Sequence, residues 1–246
     1  MKISHFLITG SWLLFINAHS SAQSTLPAYA DNALKYNRLM VEKTGEGMYK
    51  LIGIFKVIGT SYLFGEKNKG DLFSTEAKGY NISLSYNTYN QEVEFYSTSN
   101  PDKPLVKEPG TVDSFIIHSN LSMEITYPLK FVYGSHLGSS DKAYFLELYA
   151  GKRFSVFKKY KSDLGYVSSN YIQSELRQFD LLYDYYYYDN EKSILKKLKT
   201  NASSIIKELK DFKDISPVFT DDDFTRDQEA ALRKAFEYLN QYLIHQ

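Results

Sequence analysis

The sequence predicts an α+β fold: an antiparallel β-rich barrel or sandwich followed by two C-terminal amphipathic helices. Three observations predict it. Between residues 49 and 199, short apolar runs alternate with polar residues at period two and are punctuated by turn residues, with no helical stretch between them. Past residue 199 the period switches to that of a helix. The chain also holds 22 Tyr and 16 Phe against a single Trp, so its bulk is carried by flat side chains that suit a pleated surface. Strands first and helices after them give an arrangement in which the helices pack on one face or end of the sheet.

Residues 1–22 read as a cleaved secretory leader. Lys2 supplies the basic start, Phe6–Ile16 an apolar core, and Ser20-Ser21-Ala22 the small residues before a cut at Gln23. The apolar run is broken by Thr9, Gly10 and Ser11 and falls short of the roughly 20 residues a membrane span needs. With no cysteine in the chain, neither a lipoprotein anchor nor a disulfide is available. Stability must come from burial, a pattern that favours a bacterial periplasm or surface. The chain is thus expected outside the membrane, periplasmic or extracellular, with no transmembrane segment after cleavage.

Residues 23–48 form an N-terminal arm, in which Leu34, Leu39, Met40 and Val41 suggest one weak helix near 28–43. Thr44-Gly45-Glu46-Gly47 closes it as a turn. The β-rich domain then spans 49–199. Tyr49–Ile58 is its first strand, and Asn68-Lys69-Gly70 reads as a turn before Leu72-Phe73. Ile82, Leu84 and Tyr86 alternate with Ser83, Ser85 and Asn87. Asn90-Gln91 turns this run into Val93 and Phe95, a hairpin with Glu92 and Glu94 on the wet face. Pro101, Pro104 and Pro109 mark 98–110 as a loop or edge excursion. Strands follow at 112–117, at 123–127 and 131–133 around Pro128, at 144–149, from Phe154, over 176–188, and at 193–198.

The segment 200–246 is helical and is expected to pack on the sheet. Ala202, Ile205, Ile206 and Leu209 share one helix face, with Thr200 or Asn201 as cap. Thr225 and Gln228 have capping-box spacing, and Leu232, Ala235, Phe236, Leu239 and Leu243 form a second stripe.

Catalytic and metal patterns do not emerge. The three histidines outside the leader, His118, His136 and His245, make no His-Glu-x-x-His, so no zinc pattern exists. Asp221-Asp222-Asp223 fails as a calcium loop, because the positions that need Gly and Glu hold Arg226 and Leu232. These acids instead suit a helix N-terminus. There is no Gly-x-Ser-x-Gly elbow and no phosphate-cradling glycine loop. Glu92 and Glu94 share one strand face, whereas glycosidase carboxylates oppose each other across a cleft. No catalytic residue, metal ligand or cofactor is therefore assigned. With 29 basic and 29 acidic residues the surface is neutral overall, which argues against nucleic acid or an anionic membrane as partner. The one local oddity is Tyr185-Tyr186-Tyr187-Tyr188. On a strand, Tyr185 and Tyr187 take one side and Tyr186 and Tyr188 the other, so one pair can lie beneath the helices and one can contact a ligand such as a sugar ring.

Gly59-Thr60-Ser61-Tyr62-Leu63-Phe64, Lys69-Gly70-Asp71-Leu72 and Ser85-Tyr86-Asn87-Thr88-Tyr89-Asn90-Gln91-Glu92-Val93-Glu94-Phe95 carry a likeness. Together with Lys196-Lys197-Leu198-Lys199 and the terminal helix, they make the chain resemble a group of uncharacterised secreted proteins of Bacteroidota-type bacteria. The resemblance spans most of residues 50–243; it implies an exported or envelope protein and supplies no activity. The expectation is a binding or structural role in the envelope, with an envelope protein or glycan as partner. The alternatives are an envelope enzyme such as a carbohydrate hydrolase, or a carrier of an apolar ligand.

Overall fold

A computed structural model describes residues 34–43, 49–107, 110–166 and 176–243. The leader at 1–22, the first part of the arm and the turn at 44–47 lie outside the described residues. The architecture is α+β, with strands first and helices at the end of the chain. The strands are β1 (Leu34–Lys43), β2 (Tyr49–Ile58), β3 (Tyr62–Phe73), β4 (Lys78–Asn87), β5 (Glu92–Ser97) and β6 (Asn100–Val106). They continue as β7 (Ser114–Ile117), β8 (Leu129–Tyr133), β9 (Tyr144–Tyr149), β10 (Phe154–Tyr166), β11 (Leu176–Asp189) and β12 (Ile194–Lys197). Helices α1 (Ala202–Leu209), α2 (Asp221–Arg226) and α3 (Gln228–Leu243) follow.

All twelve strands belong to one sheet rather than two stacked ones, in the order β1-β2-β11-β10-β9-β8-β7-β3-β4-β5-β6, with β12 beside β11. The sheet is mixed: β2 runs parallel to β11 at Lys56–Ile58, while the other pairs are antiparallel. Among the described residues the antiparallel expectation fails only there, where β2 meets a strand distant in sequence.

Curling of the sheet brings the β4–β5 turn onto β10. Thr88 and Ser162 hydroxyls meet at 2.6 Å, the Ser162 N–H donates to the Thr88 carbonyl, and Gln91 Nε2 donates to the Tyr160 carbonyl at 2.9 Å. The concave side is filled by aromatics. Phe115 stacks on Phe131 with ring centres 4.6 Å apart, and Tyr86 and Tyr144 pack around them. The helices close this side over β10 and β11, where Phe154 meets Phe212 at 4.8 Å and Tyr187 meets Phe236 at 5.8 Å. One contiguous cluster therefore runs from Leu63 to Leu239. A smaller cluster of Leu137, Ala143, Phe145 and Phe157 covers part of the opposite face.

Several local expectations are corrected. The helix read at 28–43 gives way to the strand β1, whose register shifts at Lys35/Arg38 and Met40/Val41 break the period-two signature. Asn68-Lys69-Gly70 is not a turn but part of β3, paired with Leu84, Ser83 and Ile82. The interruption lies just before it, where Phe64, Gly65 and Lys67 all have positive φ and the register jumps between Leu63 and Asn68. Gly70 is needed for another reason: a Cβ there would overlap the Ile116 carbonyl, so glycine lets β3 and β7 approach. The strand read at 123–127 is instead a 3-10 turn at Leu121–Met123 followed by left-handed Glu124. The proline-marked segment 98–110 holds the edge strand β6, where Pro101 and Pro104 blunt an unpaired side.

Among the described residues the C-terminal segment has three helices rather than two. Asn201 caps α1, accepting from the Ser204 N–H at 2.8 Å. The Thr225/Gln228 capping box does not form: Thr220 caps α2, with Asp221, Asp222 and Asp223 as its first turn, and the Asp227 carboxylate accepts from the Ala230 N–H near the start of α3.

Candidate functional site

The four consecutive tyrosines divide as the strand period requires. Tyr185 and Tyr187 are buried beneath the helices, and Tyr186 and Tyr188 are half-buried beside the small cluster on the other face. Tyr186 meets Phe145 edge-on at 5.2 Å. The four do not converge on one open surface. Burial pushes Tyr187 up to about 12, with Glu208 and Asp189 adding to the shift. Burial also lifts Tyr186 to about 12, aided by Asp184 and Asp141. Both phenols stay protonated near neutral pH.

Tyr187 marks the base of a cleft. The β11–β12 hairpin and α1 border an open cleft of about 780 Å³ lined by Lys192, Lys196, Lys199, Lys207, Glu208 and Asp211, among others. The hairpin turn and β12 supply three of the lysines, because Lys192, Lys196 and Lys199 bracket a short strand that ends at Lys197. Helix α1 supplies Lys207, Glu208 and Ser204 from its exposed side. Among the described residues none of the four cleft lysines is in an ion pair, whereas neighbouring Lys197 is held by Asp184 at 2.7 Å. Lys192 lies 5.7 Å from the Phe212 ring centre and Lys196 6.0 Å from that of Tyr187. One Glu208 oxygen, Oε2, is buried without a hydrogen-bond partner. The cleft thus offers ammonium donors around a partly apolar floor, with the carboxylates of Glu208 and exposed Asp211 on its wall. A neutral overall balance does not reveal this local grouping of four lysines with Glu208 and Asp211.

A second polar site joins α3 to the sheet. Lys158 is 7% exposed and donates to Glu229 at 2.7 Å. Its ammonium lies 4.0 Å from the ring centre of Tyr183, 4.7 Å from Tyr160 and 5.5 Å from Tyr185. Burial opposes the charge, but the Glu229 bond and the adjacent Tyr160 outweigh it and raise the lysine above its ordinary value. A lysine held protonated in this way cannot act as a nucleophile or base near neutral pH. It serves as a tie between β10 and α3.

The remaining candidates separate. Glu92 and Glu94 are buried, each 6% exposed, rather than on a wet face. Tyr62, paired with Asn87 at the start of β3, lies on the same face, and its hydroxyl donates to Glu94 at 2.9 Å. His118 pairs with Asp71 at 3.1 Å and His136 with Asp113 at 2.9 Å. The Asn81 N–H lowers the Asp71 pKa most, with His118 adding to it against the opposing effect of burial. No serine hydroxyl is hydrogen-bonded to either ring among the described residues, so neither pair forms a nucleophilic triad. No group of three or more acidic or histidine side chains gathers for a metal among the described residues. No helix there is long and apolar enough to cross a membrane.

Comparisons with family models, with curated proteins and with solved structures returned no match to this chain.

Proposed function

We propose that the protein is exported to the cell envelope and binds an acidic saccharide in the lysine cleft between β12 and α1. The observation that carries this reading is the convergence of Lys192, Lys196, Lys199 and Lys207, unpaired among the described residues, around Tyr187, Phe212 and Glu208. Each part suits one part of such a ligand. A sugar carboxylate or sulfate takes charge-assisted bonds from the ammonium groups. A sugar hydroxyl donates to the exposed Asp211 carboxylate on the cleft wall. The half-buried Phe212 ring accepts the apolar face of a pyranose. Glu208 repels a bare polyanion and so favours a ligand that brings hydroxyl donors with its charge. The enzyme reading draws less support, because Glu208 and Asp211 are three residues apart on one segment rather than opposed across the cleft.

Binding of a uronic-acid oligosaccharide to the protein purified from its native host tests the site, with a neutral oligosaccharide of equal length as control. The acidic ligand should bind, and more weakly as salt rises. Replacing Lys196 and Lys199 by Glu should weaken it by about tenfold or more. Equal affinity for the neutral sugar, or no effect of the lysine changes, would overturn the assignment. Export rests on the Lys2, Phe6–Ile16 and Ser20-x-Ala22 pattern. N-terminal sequencing of the same material should begin at Gln23; intact Met1 on cytoplasmic protein would remove the envelope from this reading.

A further inference from the structure

We propose a second binding site, for a single-chain amphiphile with an anionic head, at the mouth of the concave face between the β3–β4 hairpin and β5. A pocket of about 340 Å³ opens there, within the roughly 300–1,000 Å³ range of small-molecule sites. Its floor is continuous with the core: Leu72 and Val112 are buried in the main cluster, and half-buried Ile82 and Phe95 pack against it. Phe73 forms a wall, met edge-on by Tyr80 at 5.9 Å. The apolar track continues past the pocket. Leu105, 50% exposed, pairs with Phe95 across β5 and β6, and Tyr80 is 64% exposed on the hairpin.

The shape and the charges together select the occupant. An apolar lining left in water loses free energy that a hydrocarbon chain recovers on entering. The site is a narrow concavity beside a tight turn, in which the Ser74 hydroxyl and N–H both bond to the Ala77 carbonyl. It suits one chain better than the broad face of a protein, whose stable interfaces need about 1,200 Å² or more in total. Lys78 and Lys107 stand exposed at the rim, and neither is in an ion pair among the described residues. Among the described residues they outnumber Glu76, the one acid of the lining, so an anionic head is favoured over a cationic one. The site shares no residue with the lysine cleft, and the two stand independently.

Gly79 makes the site testable. A Cβ built there meets Ile82 at 3.6 Å and Leu72 at 3.9 Å, ordinary contacts that point into the pocket. Gly79→Leu should therefore fill the cavity while the chain still folds. Calorimetric titration of the native-host protein with dodecanoate, below its micelle concentration, should give one bound chain. Dodecyltrimethylammonium, with the same chain and the opposite head, should bind at least about tenfold more weakly. Gly79→Leu should abolish binding, Lys78→Glu with Lys107→Glu should weaken it about tenfold, and Glu76→Gln should strengthen it. The lysine and glutamate changes are at exposed positions, so they test the site even if Gly79→Leu were to misfold. Lys196→Glu with Lys199→Glu should leave dodecanoate binding unchanged. Undiminished binding by Gly79→Leu, or equal binding of the cationic amphiphile, would overturn the proposal. So would adsorption to phosphatidylglycerol vesicles without uptake of monomeric dodecanoate, which would make this face a membrane contact rather than a pocket for one chain.

Discussion

At the scale of single residues, the junction of sheet and helix depends on an amide that no sequence pattern marks. Asn240 is buried on α3, one residue after Leu239 of the apolar stripe. Its Oδ1 accepts from the N–H groups of Arg153 at 2.8 Å and Phe154 at 3.0 Å. Its Nδ2 donates to the carbonyls of Phe154 at 2.9 Å and Phe236 at 2.7 Å. The side chain thus satisfies backbone groups at the start of β10, where no ladder partner does. Gly151 is part of the same fit, since a Cβ at that position would overlap the Asn240 amide. Asn240→Ala would orphan the N–H groups of Arg153 and Phe154 and the Phe154 carbonyl in a region closed to bulk water. A cost of about 2–4 kcal/mol is expected, because a buried polar group left unpaired costs roughly 1–3 kcal/mol. Chemical denaturation should show this as a lowered midpoint, with exposed Gln241→Ala as the control that stays near the parent. In the sequence Asn240 reads only as a polar residue at the border of a stripe. Its partners on β10 and the turn before it lie more than 80 positions away, and nothing local encodes them.

At the scale of elements, what was legible followed from period, and what was not followed from contacts between distant segments. The α3 stripe of Leu232, Ala235, Phe236 and Leu239 is fully buried, as its spacing predicts. The alternation of β4 placed Leu84 and Tyr86 in the core. The same alternation put Glu92 and Glu94 together on the other face of β5, correctly, but could not foresee that Tyr62 at the start of β3 would cover that face. Positive φ at Phe64 and Lys67 has no signature in residues that ordinarily avoid it. For α3 the burial gives a direct expectation. Phe236 touches both Phe154 and Tyr187, and truncating a buried Phe typically costs about 3–5 kcal/mol. Phe236→Ala should lower the unfolding midpoint strongly, whereas Glu237→Ala, exposed on the same helix, should hardly move it. Equal and small effects of the two would mean that α3 does not pack on β10 and β11.

At the scale of the whole molecule, the boundary at residue 199 separates secondary structures but not cores. Read along the chain, the β-rich part and the helical part look like successive units. In the fold, Phe154 and Tyr187 of the sheet, Ile205, Leu209 and Phe236 of the helices, and Phe219 of the connector between α1 and α2 belong to one cluster. Lys158 and Asn240 add polar ties across the same seam. The lysine cleft is legible only at this scale. Lys192, Lys196 and Lys199 are visible as a basic stretch, but Lys207 joins them because α1 folds back beside β12, and a net charge summed over the chain averages the cluster away. With no cysteine to staple either part, the helices and the sheet depend on mutual burial. They should therefore unfold together. Far-UV circular dichroism follows the secondary structure, and near-UV tyrosine signals follow packing around Tyr86, Tyr144 and Tyr187. In a urea titration the two should give coincident midpoints, the mark of an all-or-none transition. A chain ended at Lys199 would uncover Phe154 and Tyr187 and should lose the near-UV signal. Two separated transitions, or a native tyrosine spectrum from the shortened chain, would show instead that the sheet stands alone and that the helices are an appendage to it.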